Sequence, residues 1–390
     1  MDIYKQSLEM HEKAKGKLSV ELKVPLTSSE DLSLAYTPGV AQPCLEIAKN
    51  KEMAYQYTWK SNSVAVISDG SAVLGLGNIG PEASLPVMEG KAILFKQFAG
   101  IDAIPLCLDT QDTQEIISIC KAVAPTFGGI NLEDISAPRC VEIERTLIKE
   151  LDIPVFHDDQ HGTAIVVSAG LINALKVVNK KMEDITIVVS GAGAAGSSII
   201  KMVHALGVKE IYAFNIDGIL LKEDNDKYDF LSKELTEITN KQNKRMTMSE
   251  ALKEADVFIG VSAPGVLTKE MVQGMQENPI VFAMANPEPE ISYQDAIDAG
   301  VAIMATGRSD FPNQINNVLA FPGLFKGALS VRAKKITEEM KLAASYALAS
   351  LVKEDELKAD YIIPAALDTR VSDAVSNAVA KKAKELGITR

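Results

Sequence analysis

The apolar run Ile185-Thr186-Ile187-Val188-Val189-Ser190, followed at once by Gly191-Ala192-Gly193-Ala194-Ala195-Gly196, most restricts what this chain can fold into. A β-branched run of this length reads as a strand buried on both faces. The GxGxxG loop after it needs three glycines for three separate reasons. The first makes the tight turn, the second lets a phosphate approach the backbone, and the third lets the next helix pack against the strand. That helix is predicted over 194–206 and leads to a second apolar run at 209–215, which completes a βαβ unit. Its free amides and helix dipole are suited to a dinucleotide pyrophosphate, held by Gly191, Ala192, Gly193, Ala194, Ala195 and Gly196.

The pattern continues with strand candidates at 256–261, 279–285 and 301–305, and with a helical stretch at 163–178 before the glycine loop. Strands separated by helices predict a Rossmann-like, doubly wound parallel sheet. From Val331 onward, Ile336, Met340, Ala343, Ala344 and Ala347 recur at helical spacing among Lys and Glu, so surface helices are expected to close the molecule. Residues 1–160 have a different texture, alternating short apolar runs such as Val64-Ala65-Val66-Ile67 with loops crowded by Gly, Pro, Asp and Glu. With 390 residues, the expected architecture is α/β in two domains. An N-terminal α/β domain over 1–160 would carry substrate and metal groups, and a dinucleotide-binding domain would occupy 161–390.

The net charge of −12 is spread along the chain, a surface that repels phosphate backbones, so no nucleic-acid partner is expected. The four cysteines form no CxxC pair and read as reduced thiols. The first residues contain no apolar leader core, and no stretch approaches the roughly 20 apolar residues of a membrane span. A cytoplasmic chain with no membrane partner is expected.

Two acidic pairs end probable strands: Glu133-Asp134 after 127–132, and Asp158-Asp159 after 153–157. Either pair alone would be an exposed turn. Together, without a thiolate, they suit a hard octahedral cation such as Mg²⁺ or Mn²⁺. His157 and His161 have the spacing of a zinc pair but sit at a loop or helix start, so supporting roles fit them better. Lys91 lies in an apolar helical stretch, where burial near a dication would lower its pKa and make it a base, with Lys96 as competitor on the same helix. Tyr36 belongs to a Thr-Pro-Gly turn able to aim a phenol inward. A second GxGxxG, at Gly75–Gly80, has no strand at the distance a dinucleotide unit requires and reads as a loop shaping a pocket. At the end of the second strand, where an acid would hold the ribose 2′-OH, stands Asn215, which leaves NAD or NADP open.

Taken together these segments resemble the malic enzyme family in its short bacterial form. The likeness rests on Tyr36-Thr37-Pro38-Gly39-Val40-Ala41, Ser68-Asp69-Gly70 through Gly80, Pro86-Val87-Met88-Glu89-Gly90-Lys91, Leu132-Glu133-Asp134-Ile135 and His157-Asp158-Asp159-Gln160-His161-Gly162-Thr163-Ala164. It continues through the glycine loop, Ala285-Asn286-Pro287, Asn313-Gln314-Ile315-Asn316-Asn317-Val318 and Phe321-Pro322-Gly323. The resemblance implies Tyr36 as general acid, Lys91 as general base, and Asp158 as the carboxylate supporting the lysine. It implies Glu133, Asp134 and Asp159 as metal ligands, Asn286 at the junction of cofactor and substrate, and Asn317 on the substrate. Larger members carry a substrate-binding arginine where this chain has Ser71-Ala72, and Arg308 is the candidate replacement.

The implied reaction takes malate to pyruvate and CO₂. Lys91 accepts the C2 hydroxyl proton as hydride passes to NAD or NADP, the divalent ion acts as electron sink while CO₂ leaves, and Tyr36 protonates C3. The expected partners are small molecules (malate, pyruvate, oxaloacetate) and a second copy in a homodimer. An oxaloacetate decarboxylase or malolactic enzyme of the same family would use the same groups. A non-catalytic dinucleotide-binding regulator would have no need of them.

Overall fold

A computed structural model describes residues 2–73 and 75–390. Among the described residues ten strands form two sheets, and nearly every connection between parallel neighbours runs through a helix. The first sheet has the order β2-β1-β3-β4, with β1 Ser63–Ser68, β2 Asp102–Cys107, β3 Gly129–Leu132 and β4 Val155–His157, all parallel. Both faces of β1 and β3 are buried, as the unbroken apolar runs require. The second sheet has the order β10-β9-β8-β5-β6-β7. Its members are β5 Thr186–Ser190, β6 Glu210–Asn215, β7 Gly218–Ile219, β8 Val257–Gly260, β9 Ile280–Ala283 and β10 Ile303–Thr306. Only the short β7 runs antiparallel. The expected strands are all present, trimmed by a residue or two, and the α/β class with its Rossmann-like sheet holds.

In parallel sheets groups gather beyond the carboxyl ends of the strands, and a ligand sits where successive strands step off in opposite directions. The chain goes from β5 to β6 on one side and to β8 on the other, which makes the glycine loop after β5 that switch point. Glu133 and Asp134 follow β3, and Asp158 and Asp159 follow β4, at the equivalent edge of the first sheet. The strand that the second glycine loop was expected to lack is present, since the helix Pro81–Ala99 leads from the loop to β2, parallel to β1. The loop closes back on itself through Val73 and Gly77 and abuts the 286–287 turn, since a Cβ on Gly75 would lie 3.7 Å from the Pro287 ring and 3.9 Å from the Asn286 carbonyl. A loop that follows the first sheet's β1 thus meets the turn that follows β9 of the second, and the two border one cleft.

The helix predicted from 163 begins five residues earlier, as Asp158–Val177. Two acids in its first turn favour that start through the helix dipole, a signal that apolar periodicity misses. The helix just before the expected closing segment joins the two layers. Phe321–Ser330 puts fully buried Phe321, Leu324 and Phe325 against Phe95 and Phe156 of the first sheet's layer, the rings meeting edge to face at 4.7, 5.3 and 5.9 Å. One apolar core thus runs from Val64 and Phe156 to Ile187 and Val189, across the 160/161 boundary. At the other end of the chain, the helices Ile3–Ala14, Ser29–Ala35 and Ala41–Lys49 bury no residue. No helix among the described residues is long and apolar enough to cross a membrane.

Candidate active site

The long helix Pro81–Ala99 places Lys91. Met88, Lys91, Ala92 and Phe95 recur at three- and four-residue spacing on its inward face, so the lysine is drawn in with three core residues. Lys96, its competitor in sequence, points outward to Asp102. The Lys91 ammonium meets Asp158 Oδ2 at 2.6 Å and Glu133 Oε1 at 2.8 Å, and stands 4.3 Å from the centre of the Phe321 ring.

Glu133, Asp134 and Asp159 each turn one oxygen into a group spanning no more than 4.8 Å. Two loop ends make this convergence. Asp134 adopts a left-handed backbone (φ 53°), which turns its amide to donate to Asp159 Oδ2 at 2.8 Å. Asn131, two residues before Glu133, donates to Glu133 Oε2 at 2.8 Å and fixes that carboxylate. Gly162 leaves the space for Asn317 to reach the site, since a Cβ there would stand 2.0 Å from Asp158 Oδ1 and 3.0 Å from the Asn317 side chain. The Asn317 amide donates to Asp158 Oδ2.

One ammonium cannot neutralise four carboxylates, of which Glu133, Asp134 and Asp158 are buried and Asp159 is half-buried. Burial tends to strip Lys91 of its charge, but Asp158, Glu133 and Asp159 outweigh that and hold it above the ordinary lysine value. The lowering expected from the sequence is that beside a bound dication, whereas the carboxylates alone, arriving from two strand ends, hold the lysine up. Burial and the surplus negative charge push the Glu133 carboxyl well up and that of Asp134 to about 8. Asp134 Oδ2 and Asp158 Oδ1 are buried without a partner among the described residues. Converging acids whose free oxygens lack donors, with no thiolate among them, are what a divalent cation with oxygen ligands requires.

The histidines support this site from behind. Glu144 accepts from the His157 backbone amide at 2.8 Å and bonds His161 Nε2 at 2.9 Å, while Lys341 reaches His161 Nδ1 at 3.0 Å. Glu144, Lys341, Asn131 and Phe321 were not singled out from sequence.

At the glycine loop, a Cβ on Gly196 would sit 1.7 Å from the Gly191 carbonyl and one on Gly191 2.5 Å from that of Val261, whereas one on Gly193 would meet nothing within 4 Å. Two glycines thus serve close packing, and the middle one leaves its backbone open on the side a phosphate needs. A groove of about 1140 Å³ continues from Gly191 past Asn215, Asp217 and Ser262. Asn215 accepts from the Asp217 amide at 2.9 Å, closing a turn. Asn286 lies at the cleft, bonded to the Met284 carbonyl at 3.2 Å.

Two sequence candidates are not brought to the carboxylates. Arg308 is held by both oxygens of Asp310, at 2.9 and 2.7 Å, two residues away and nearer than any cleft group. Tyr36 stands at the end of its helix, 67% exposed. A guanidinium does arrive where the sequence has Ser71 in place of arginine, but it comes from Arg139, whose Nη2 donates to Asp69, Ser71 and Ser136 at 2.9, 2.9 and 3.0 Å.

Comparison with known proteins bears on this geometry directly. A family model described as "Malic enzyme, N-terminal domain" matches residues 15–148, and one described as "Malic enzyme, NAD binding domain" matches residues 160–384. The chain belongs to the malic enzyme family. It is 56% identical over 390 residues to a bifunctional malic/malolactic enzyme of Bacillus subtilis, covering 100% of this chain and 95% of that one. It is also 56% identical over 375 residues to an NAD-dependent malic enzyme of Geobacillus stearothermophilus, covering 96% and 78%. Among solved structures, the malic enzyme from Pyrococcus horikoshii superimposes with a TM-score of 0.94 at 49% identity, covering 100% of this chain and 92% of that one.

Proposed function

We propose that this member of the malic enzyme family oxidises and decarboxylates malate to pyruvate and CO₂ with NAD⁺ or NADP⁺ and a divalent cation. The observation that carries the reading is Lys91, buried between Asp158 and Glu133 at the edge of the three-carboxylate group. A proton acceptor and a cation site are there in contact, as oxidation of a hydroxyl beside a carboxylate requires. Initial rates with malate, comparing NAD⁺ with NADP⁺ in the presence and absence of Mn²⁺, test it.

Glu133, Asp134 and Asp159 would hold Mg²⁺ or Mn²⁺, which supplies Lewis acidity toward the substrate's oxygens. With Glu133 and Asp159 engaged as ligands, Asp158 is left as the carboxylate facing Lys91. Asp158, 2.6 Å away, would take the ammonium proton and leave Lys91 neutral to accept the C2 hydroxyl proton, and a nicotinamide bound beyond the glycine loop would supply the hydride acceptor. Asn317 orients Asp158 and lies where it also meets the substrate. Gly191 to Gly196 bind the pyrophosphate, and Asn215 and Asn286 border the two ends of the cofactor. Arg308 keeps a substrate role only if it leaves Asp310.

After CO₂ departs, the enol needs a proton at C3, the role assigned to Tyr36. In its own subunit that phenol is exposed, on a segment whose Ile3, Leu8, Val20, Leu22 and Leu34 are exposed as well. An apolar arm of this kind supports a homodimer in which a second copy covers it and brings Tyr36 to a site. Four free cysteines, with burial pushing the Cys120 and Cys140 thiols up to about 12, support a reducing, cytoplasmic setting. A malolactic reading is favoured by one observation, the 56% identity to the bifunctional Bacillus subtilis enzyme. Lactate in place of pyruvate as product would select it.

A further inference from the structure

The groove that continues from Gly191 has a charged far wall that the pyrophosphate loop does not explain. Met246 and Met248 pack on the cluster containing Phe214 and Ile219, which sets Arg245 alongside the 215–219 turn where the strand-end residue of a Rossmann unit meets the adenosine ribose. A guanidinium in that place is suited to a phosphate on the ribose 2′ position. It is not free to act so. Its Nη2 bonds Glu223 at 2.6 Å and Asp224 at 2.8 Å, and Asp224 also takes Lys227 at 2.7 Å. Asp217 and Glu250 line the same groove. Acids thus outnumber bases on this wall: Asp217, Asp224 and Glu250 line it with Arg245 and Lys227, Glu223 holds Arg245 from beside it, and Asn215 has its carbonyl oxygen committed to the Asp217 amide.

We propose that the Glu223–Asp224 clasp on Arg245 is the specificity determinant for the cofactor: it masks the guanidinium and makes the chain favour NAD⁺ over NADP⁺. The inference rests on the dinucleotide reading of the groove and goes beyond it by naming what reads the 2′ position. A neutral ribose 2′-OH meets no like charge at this wall. A 2′-phosphate brings two negative charges to a rim where acids already outnumber bases, and it gains Arg245 only by displacing two carboxylates. Removing the clasp, and not adding a cation, should thus open the site to NADP⁺.

The test compares binding of 5′-AMP and adenosine 2′,5′-bisphosphate to the full-length protein by calorimetry, alongside kcat/KM for NAD⁺ and NADP⁺. The wild type should bind 5′-AMP more tightly. Glu223→Gln with Asp224→Asn should shift the ratio of affinities toward the bisphosphate by about tenfold, the scale of one well-placed charge contact, and move kcat/KM the same way. Adding Arg245→Met to that pair should cancel the shift, which separates a freed guanidinium from a general loss of negative charge. Glu223 and Arg245 are more than half exposed but Asp224 is only 16% exposed, so Glu223→Gln alone, expected to give a smaller shift in the same direction, is measured beside the pair with thermal melting of each variant. A ratio unchanged in the double variant, a shift that survives loss of Arg245, or a wild type that prefers the bisphosphate would each overturn the clasp. Failure of the wild type to bind either nucleotide would instead overturn the dinucleotide reading, and the clasp with it.

Discussion

Replacing Glu144 by Gln should destabilise the protein and loosen its metal site, although Glu144 touches none of the proposed ligands. Its carboxylate is buried and ties the helix Arg139–Glu150 to the first turn of Asp158–Val177, through the His157 amide at 2.8 Å and His161 at 2.9 Å. Burial alone would raise its pKa, but His161, Lys341 and His157 more than compensate and hold it at about 2 against an ordinary 4.5. That difference corresponds to about 3 kcal/mol, in line with the cost of breaking a buried charge pair by removing one partner. Because the folded-state value is the lower one, the contribution is complete above about pH 4.5 and is lost as pH falls through about 2. Thermal unfolding of wild type and Glu144→Gln in parallel should therefore show a gap of several degrees, constant from pH 8 to 5 and narrowing below about 4.5. The same loosened turn carries Asp159, so the variant's KM for Mn²⁺ should rise more than its KM for NAD⁺. Equal melting temperatures at pH 7, or a gap that widens on acidification, would refute the reasoning.

Asp159→Ala should abolish Mn²⁺-dependent turnover and leave NAD⁺ affinity, measured by fluorescence titration, close to wild type; an unchanged Mn²⁺ dependence would remove the residue from the site. In single-turnover experiments following NADH absorbance, Tyr36→Phe should keep the reduction step, whereas Lys91→Ala should lose it by about 10²–10⁴-fold. Equal loss in both would mean that the two act as one relay. Coexpressing Tyr36→Phe with Lys91→Ala should regenerate activity that neither shows alone, because a mixed dimer sharing residues across subunits contains one intact site. No recovery in verified heterodimers would confine each site to one chain.

Much of this arrangement was legible as short strings. The strand, glycine loop and helix at 185–205 are local, and so are the acids that end β3 and β4, which the parallel sheet aligns at one edge. What escaped reading depends on long-range approach. Asn317 was expected on the substrate, but its bond to Asp158 spans 159 residues, as that of Lys341 to His161 spans 180, and the spacing near either residue looks ordinary. The partners of Lys91 were hidden for the same reason: its local sequence shows an apolar helix, not the carboxylates arriving from two other strand ends. Arg308 illustrates the converse. A cation near a cleft reads as a ligand until the acid two residues on is seen to claim it. The exposure of Tyr36 is set by what packs on the N-terminal helices, which no pattern within the chain records.

The central claim, that oxidation and decarboxylation are coupled at the Lys91 and carboxylate site, is tested most directly by stoichiometry. Purified protein with malate, NAD⁺ and Mn²⁺ should produce NADH and pyruvate in equal amounts, with both products vanishing together on chelation or in Lys91→Ala. NADH formed without pyruvate, or pyruvate or lactate formed without net NADH, would contradict it.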